Sequence, residues 1–169
     1  NKMAPINVGL HLVFSGSPGT GKTTVARLIG RLYRAIGLLS SGELIEVDRS
    51  DLVAGFVGQS AIKTQMKIEE ADGGVLFIDE AYSLAADTGA TNGFGDEVIA
   101  TLVKAMEDKR DSFAVVVAGY SEDMDKFIQS NKGLKSRFQT VIQFDDYTPE
   151  ELIQIFLFIS SKSQVECAE

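Results

Sequence analysis

Near the start of the chain, Gly16-Ser17-Pro18-Gly19-Thr20-Gly21-Lys22-Thr23 has the spacing G-x-x-x-x-G-K-[ST]. Glycines at 16, 19 and 21 allow backbone conformations closed to other residues. Successive N–H groups can then converge on phosphate oxygens. A helix starting at Lys22 adds the positive end of its dipole. The Lys22 ammonium reaches β- and γ-phosphates, and the Thr23 hydroxyl is a ligand for Mg²⁺. Gly16, Ser17, Pro18, Gly19, Thr20, Gly21, Lys22, Thr23 and Thr24 are therefore the candidate nucleotide-binding residues.

A second constellation lies further on. Val75-Leu76-Phe77-Ile78 reads as a buried strand that delivers Asp79 and Glu80 at its C-terminal end, the end where open α/β sheets bind ligands. Asp79 is the candidate second Mg²⁺ residue, and Glu80 the candidate general base for an attacking water. The loop argues for binding and the acid pair for hydrolysis. A guanine site would carry N-K-x-D, but Asn131-Lys132-Gly133-Leu134 lacks the final Asp. Adenine is therefore the expected base, with ATP and Mg²⁺ as the ligands.

These groups need a scaffold, and the pattern supplies one. Strand-length apolar runs at 11–15, 44–47, 75–78, 113–118 and 140–144 alternate with segments of helical period at 22–36, 60–71, 96–107 and 123–130. Thr148, Pro149 and Glu151 open a last helix with a capping box. Such alternation predicts a parallel sheet covered by helices on both faces, within one domain over residues 1–169. Residues 85–95, rich in Ala, Gly, Thr and Asp, read as a mobile loop.

Composition narrows the class. The formal charge of −8 counts against a nucleic-acid partner. The single cysteine, Cys167, reads as a free thiol, and His11 as a strand residue with no ligand partner. No apolar stretch approaches the ~20 residues that span a bilayer, so the expected compartment is the cytoplasm, with no membrane partner.

The wording of these motifs carries a resemblance. Residues 15–24 and 74–82 resemble an AAA+ ATPase. Asp51-Leu52-Val53, Phe56-Val57-Gly58, Asp79-Glu80-Ala81-Tyr82 and Ala118-Gly119-Tyr120 are similar to the subgroup of stage V sporulation protein K and the red-type Rubisco activase, which also includes a type VII secretion ATPase. The sporulation branch is the nearer. The resemblance implies a P-loop NTPase fold, three layers α/β/α, with a five-stranded parallel sheet of order 5-1-4-3-2. It also implies a homo-oligomeric ring, usually a hexamer, that acts on a protein client.

Three residue roles follow from the resemblance alone. Arg137 matches an arginine finger acting in trans on a neighbour's γ-phosphate. Phe56, Val57 and Gly58 match a loop that grips the client in the ring's pore, and residues 85–95 fall near a second such loop. Two departures accompany them. Gly119-Tyr120 stands where the family usually presents an Asn or Thr that senses the γ-phosphate, and the helical lid that follows the core is absent from the sequence. The other readings open at this stage are a nucleotide-gated scaffold with little hydrolysis and, more remotely, a DNA-associated motor.

Overall fold

The computed structural model describes residues 9–56, 58–85 and 93–162. Five strands form one sheet: β1 (Leu12–Gly16), β2 (Leu44–Val47), β3 (Val75–Ile78), β4 (Ala114–Gly119) and β5 (Thr140–Phe144). Every pairing is parallel and the order is β2-β3-β4-β1-β5, which is 5-1-4-3-2 read from the other edge. The connections include α1 (Lys22–Ala35), α2 (Arg49–Leu52), α3 (Gln59–Glu70), α4 (Phe94–Asp108), α5 (Ser121–Ser130) and α6 (Lys132–Arg137). Helix α7 (Pro149–Lys162) follows β5, and a 3-10 turn, Ala81–Leu84, follows β3.

Burial explains why these segments fold as they do. Each residue of β3 and β4 is buried, as continuous apolar runs in a two-sided parallel sheet require. One sheet face packs Val13, Leu76, Ile78, Val115 and Val117 against Leu52, Ile68, Leu102, Met106, Phe127 and Leu134 from α2 to α6. The other packs Phe14, Val75, Phe77 and Val116 against Ala26, Val25 and Ile29 of α1. The layers are unequal. Helix α7 contributes to neither cluster and leaves Leu152, Ile153, Phe156, Leu157, Phe158 and Ile159 exposed.

Several boundaries shift from the sequence reading. Helix α4 starts at Phe94 and α5 at Ser121, each two residues before the predicted start. The short helices α2 and α6 have too few residues to show a period. His11 immediately precedes β1. Its buried Nδ1 accepts the Val115 N–H at 3.1 Å. The capping box of α7 is present: Glu151 Oε2 accepts the Thr148 N–H at 2.9 Å, and Thr148 Oγ1 accepts the Glu151 N–H at 3.3 Å. Val57, Cys167 and residues 86–92 of the expected mobile loop lie outside the described residues. Among the described residues, no helix is long and apolar enough to cross a membrane.

Candidate nucleotide site

The site begins where β1 ends. Gly16, Gly19 and Gly21 adopt φ of 151°, 77° and 89°, conformations that a side chain would strain. At Gly16 a Cβ would also lie 2.2 Å from the Phe144 carbonyl oxygen of β5. The loop can therefore leave the sheet here only as glycine. Thr20 braces it from within, its buried hydroxyl donating to Ser17 O at 2.8 Å. Gly21 precedes α1, and no side chain caps that helix. The first N–H groups of α1 thus have neither an intrahelical nor a side-chain partner. Lys22 lies in the concavity, its ammonium donating to Gly16 O at 2.9 Å and Ser17 O at 2.6 Å.

The acid pair faces this loop. The strand order separates β1 from β3 by β4 alone, and all three end on the same side. The resulting cleft, about 290 Å³, is lined by Gly16, Pro18, Gly19, Gly21, Lys22, Thr23, Thr24, Asp79, Glu80, Gly119 and Tyr120. Asp79 donates its N–H to Val47 O at 3.1 Å, and its Oδ1 accepts the Glu80 N–H at 3.0 Å. Glu80 is the only non-glycine described residue with positive φ, 47°. Such backbone outliers cluster at functional sites. Tyr82 packs near Tyr120, ring centroids 6.4 Å apart. Burial first, then the Glu80 carboxylate, push the Tyr82 phenol above its ordinary pKa. It is a neutral hydrogen-bonding group at pH 7.

The donors fit a magnesium ion. Thr23 and Asp79 offer hard oxygens on one cleft wall each, and Mg²⁺ takes few protein oxygens alongside phosphates and water. Among the described residues no group of three His, Cys, Asp or Glu converges as a self-sufficient metal cage. The arrangement thus suits a cation that arrives with a polyphosphate.

Other predicted residues lie elsewhere. Ser17 and Thr20 do not line the cleft but hydrogen-bond to each other within the loop. Arg137 closes α6, just before β5, so it sits at the opposite end of the sheet from Gly16, about 13 Å away by strand rise alone. There its Nη2 pairs with Glu107 at 3.0 Å and Nη1 donates to Gly133 O, while the buried Nε has no hydrogen-bond partner among the described residues. Phe56 is 71% exposed, as a contact residue would be and a core residue would not. Gly58 donates its N–H to the Glu97 carboxylate, 3.0 Å to Oε1.

Two supporting residues had no signal in the sequence. The Tyr147 hydroxyl donates to Thr20 O at 3.0 Å, fastening the loop to the segment after β5. Arg49 donates to Ser83 O at 2.5 Å, fastening the turn after Glu80. Only the fold brings either pair together.

Comparison with known proteins agrees with this geometry. Residues 12–146 match the model of the ATPase family associated with various cellular activities (AAA). The stage V sporulation protein K of Bacillus subtilis (strain 168) is 53% identical over 146 residues, which is 86% of this chain and 45% of that protein. The ESX-1 secretion system protein EccA1 of Mycobacterium tuberculosis (strain H37Rv) is 49% identical over 146 residues, 86% of this chain and 26% of that protein. The chain thus spans less than half the length of these relatives. The AAA domain of FIGL-1, solved in complex with ADP, superposes with a TM-score of 0.64 at 20% identity, covering 91% of this chain and 49% of that one. It shares the fold.

Proposed function

The chain belongs to the AAA family of ATPases, and from that premise we propose that it binds ATP with Mg²⁺ and hydrolyses it in the cleft between the Gly16–Thr23 loop and Asp79-Glu80. The observation that carries this reading is the convergence, on one cleft, of a phosphate cradle and an acid pair delivered by two different strands. The loop N–H groups and the Lys22 ammonium take the phosphate charge. Thr23 and Asp79 would hold the magnesium ion, which neutralises phosphate charge when bound. Glu80, exposed at the mouth of the cleft, takes the proton from the attacking water.

We further propose that the active unit is a homo-oligomeric ring, a hexamer, that remodels a protein client. Arg137 lies at the end of the sheet remote from the chain's own cleft, which supports a guanidinium role on a neighbouring subunit. Its carboxylate partner Glu107 is exposed, so the pair can open toward a phosphate. Phe56, with Val57 and Gly58, is the proposed client contact. The relatives' names place one in sporulation and one in secretion.

Substitution separates the roles. Glu80→Gln should lower turnover by roughly 10²–10⁴-fold while ATP still binds, whereas Lys22→Ala should lose binding itself. Turnover unaffected by Glu80→Gln would leave a nucleotide-gated scaffold as the better reading. Arg137→Ala should cost ~10³-fold or more if the finger acts fully. Mixing inactive Arg137→Ala with inactive Lys22→Ala should recover activity, because each supplies what the other's site lacks. If the mixture stays silent although the two variants co-assemble, the shared site is wrong.

A further inference from the structure

We propose that the free edge of β2, with Arg27, Arg31 and Arg34 of α1 beside it, is a docking surface for an extended acidic segment of a partner protein, which joins the sheet as an added strand. The surface lies outside the nucleotide cleft, so the inference stands without the ATPase reading.

The backbone supplies one half of the surface. β2 ends the sheet order and pairs only with β3 among the described residues. Glu43 O accepts the Val75 N–H at 2.9 Å, and Val47 O accepts the Asp79 N–H at 3.1 Å. In a parallel ladder this register turns residues 43, 45 and 47 toward β3. The N–H and C=O groups of Leu44 and Glu46 therefore point outward, where another extended backbone can pair with them.

Side chains supply the other half. The chain has a formal charge of −8, yet arginines recur along one side of α1 at 27, 31 and 34, and all three are exposed. With Gly42, Glu43 and Leu44 they line a groove of about 700 Å³. Glycine shapes it. A Cβ on Gly42 would lie 3.2 Å from Arg31 Cα and 3.4 Å from Arg34 Cδ, so the chain entering β2 can lie directly on the helix. Arg27 has a loose partner in Glu46, at 3.7 Å. Arg31 and Arg34 pair with no carboxylate among the described residues, Glu43 included.

Together the halves specify the occupant. Guanidinium groups hold carboxylates bidentately. Along the helix axis the arginines stand about 6 and 4.5 Å apart, and same-side residues of a strand recur about every 6.7 Å. Acids at alternate positions of an added strand therefore reach the stripe while its backbone bonds Leu44 and Glu46. A free anion satisfies only the arginines. A second copy would offer its β5 edge, which runs into Asp145-Asp146. Adjacent residues of an extended segment point to opposite sides, so only one of those carboxylates would face the stripe.

The probe is a short fluorescein-labelled peptide in which glutamate alternates with valine and threonine, its binding followed by anisotropy. It should bind the parent chain, and the same peptide with lysine for glutamate should not. Arg31→Glu combined with Arg34→Glu should weaken binding about tenfold or more. Methylating alternate backbone nitrogens of the peptide should weaken it in one register and little in the other, because only one set of amides faces β2. Glu46→Pro removes an outward N–H from an edge strand and should weaken binding too. If that variant does not fold, the methylated peptides carry the backbone half of the test.

No binding of the alternating peptide overturns the inference. Equal binding of a peptide with its glutamates clustered, or indifference to methylation in both registers, overturns strand addition and leaves a diffuse charge effect. Inorganic tripolyphosphate displacing the peptide as well as unlabelled peptide does, at equal charge, overturns it in favour of an anion site. Self-association that sedimentation shows in the parent and not in the double arginine variant overturns it in favour of a second copy.

Discussion

His11 is a buried imidazole doing the work of a backbone carbonyl. Its Nδ1 accepts the Val115 N–H, Phe138 packs edge-on at 6.2 Å, and the ring is 6% exposed. Burial above all, with the Arg137 charge adding to it and a backbone hydrogen bond at Met106 opposing, lowers its pKa to about 4. The unfolded chain binds the proton near pH 6.5, so between pH 6.5 and 4 the unfolded state holds more protons than the folded one. Stability is therefore complete above pH 6.5 and falls as pH drops toward 4, by at most about 3 kcal/mol. Urea unfolding at pH 7 and pH 4.5 should show this slope in the parent. His11→Gln, which keeps an acceptor and has no titration, should show a shallower one. The sequence reading put this residue in a strand, and the structure sets it one position before β1 begins. It did not show the bond to Val115, because that contact depends on β1 lying beside β4.

At the scale of elements, α7 is the outlier. Phe156 and Phe158 are 60% and 59% exposed, and exposed apolar patches mark surfaces that meet something else. Replacing both with serine should leave unfolding within about 0.5 kcal/mol per site while reducing self-association, measured by sedimentation, and binding of a hydrophobic dye. The contrast with α1 shows what a sequence can and cannot convey. Apolar spacing at Val25, Ala26, Ile29, Leu32, Tyr33 and Ile36 predicts one buried face for the first helix; Val25, Ala26, Ile29 and Tyr33 do pack against the sheet, but Leu32 and Ile36 are exposed. The capping box at Thr148 and Glu151 predicts α7 equally well, yet cannot say whether anything covers the helix. The phosphate loop and the acid strand were legible because their chemistry is local and fixed in spacing. Arg49, Tyr147 and the partner of Arg137 were not, because each is defined by a residue distant in sequence.

For the whole molecule, a nucleotide that binds only the folded state must raise its stability. At a concentration about 100 times Kd the gain is about 2.7 kcal/mol, or a Tm rise of roughly 5–10 °C for a domain of this size. Mg·ATP and Mg·ADP should both produce it, chelation of the magnesium should diminish it, and Lys22→Ala should abolish it. Differential scanning fluorimetry reads all three. The sheet register adds a constraint of timing. β1 pairs on both sides with strands from the other end of the chain, Gly16 against Phe144 in β5 and Ser15 against Gly119 in β4. Thr20 is held by Tyr147, 127 positions later. A ribosome adding about 5–20 residues per second releases the glycine loop many seconds before either neighbouring strand exists. The nascent chain then carries the motif without the site, and ATP in the cell can stabilise only the last stage of folding, once β5 has closed beside β1.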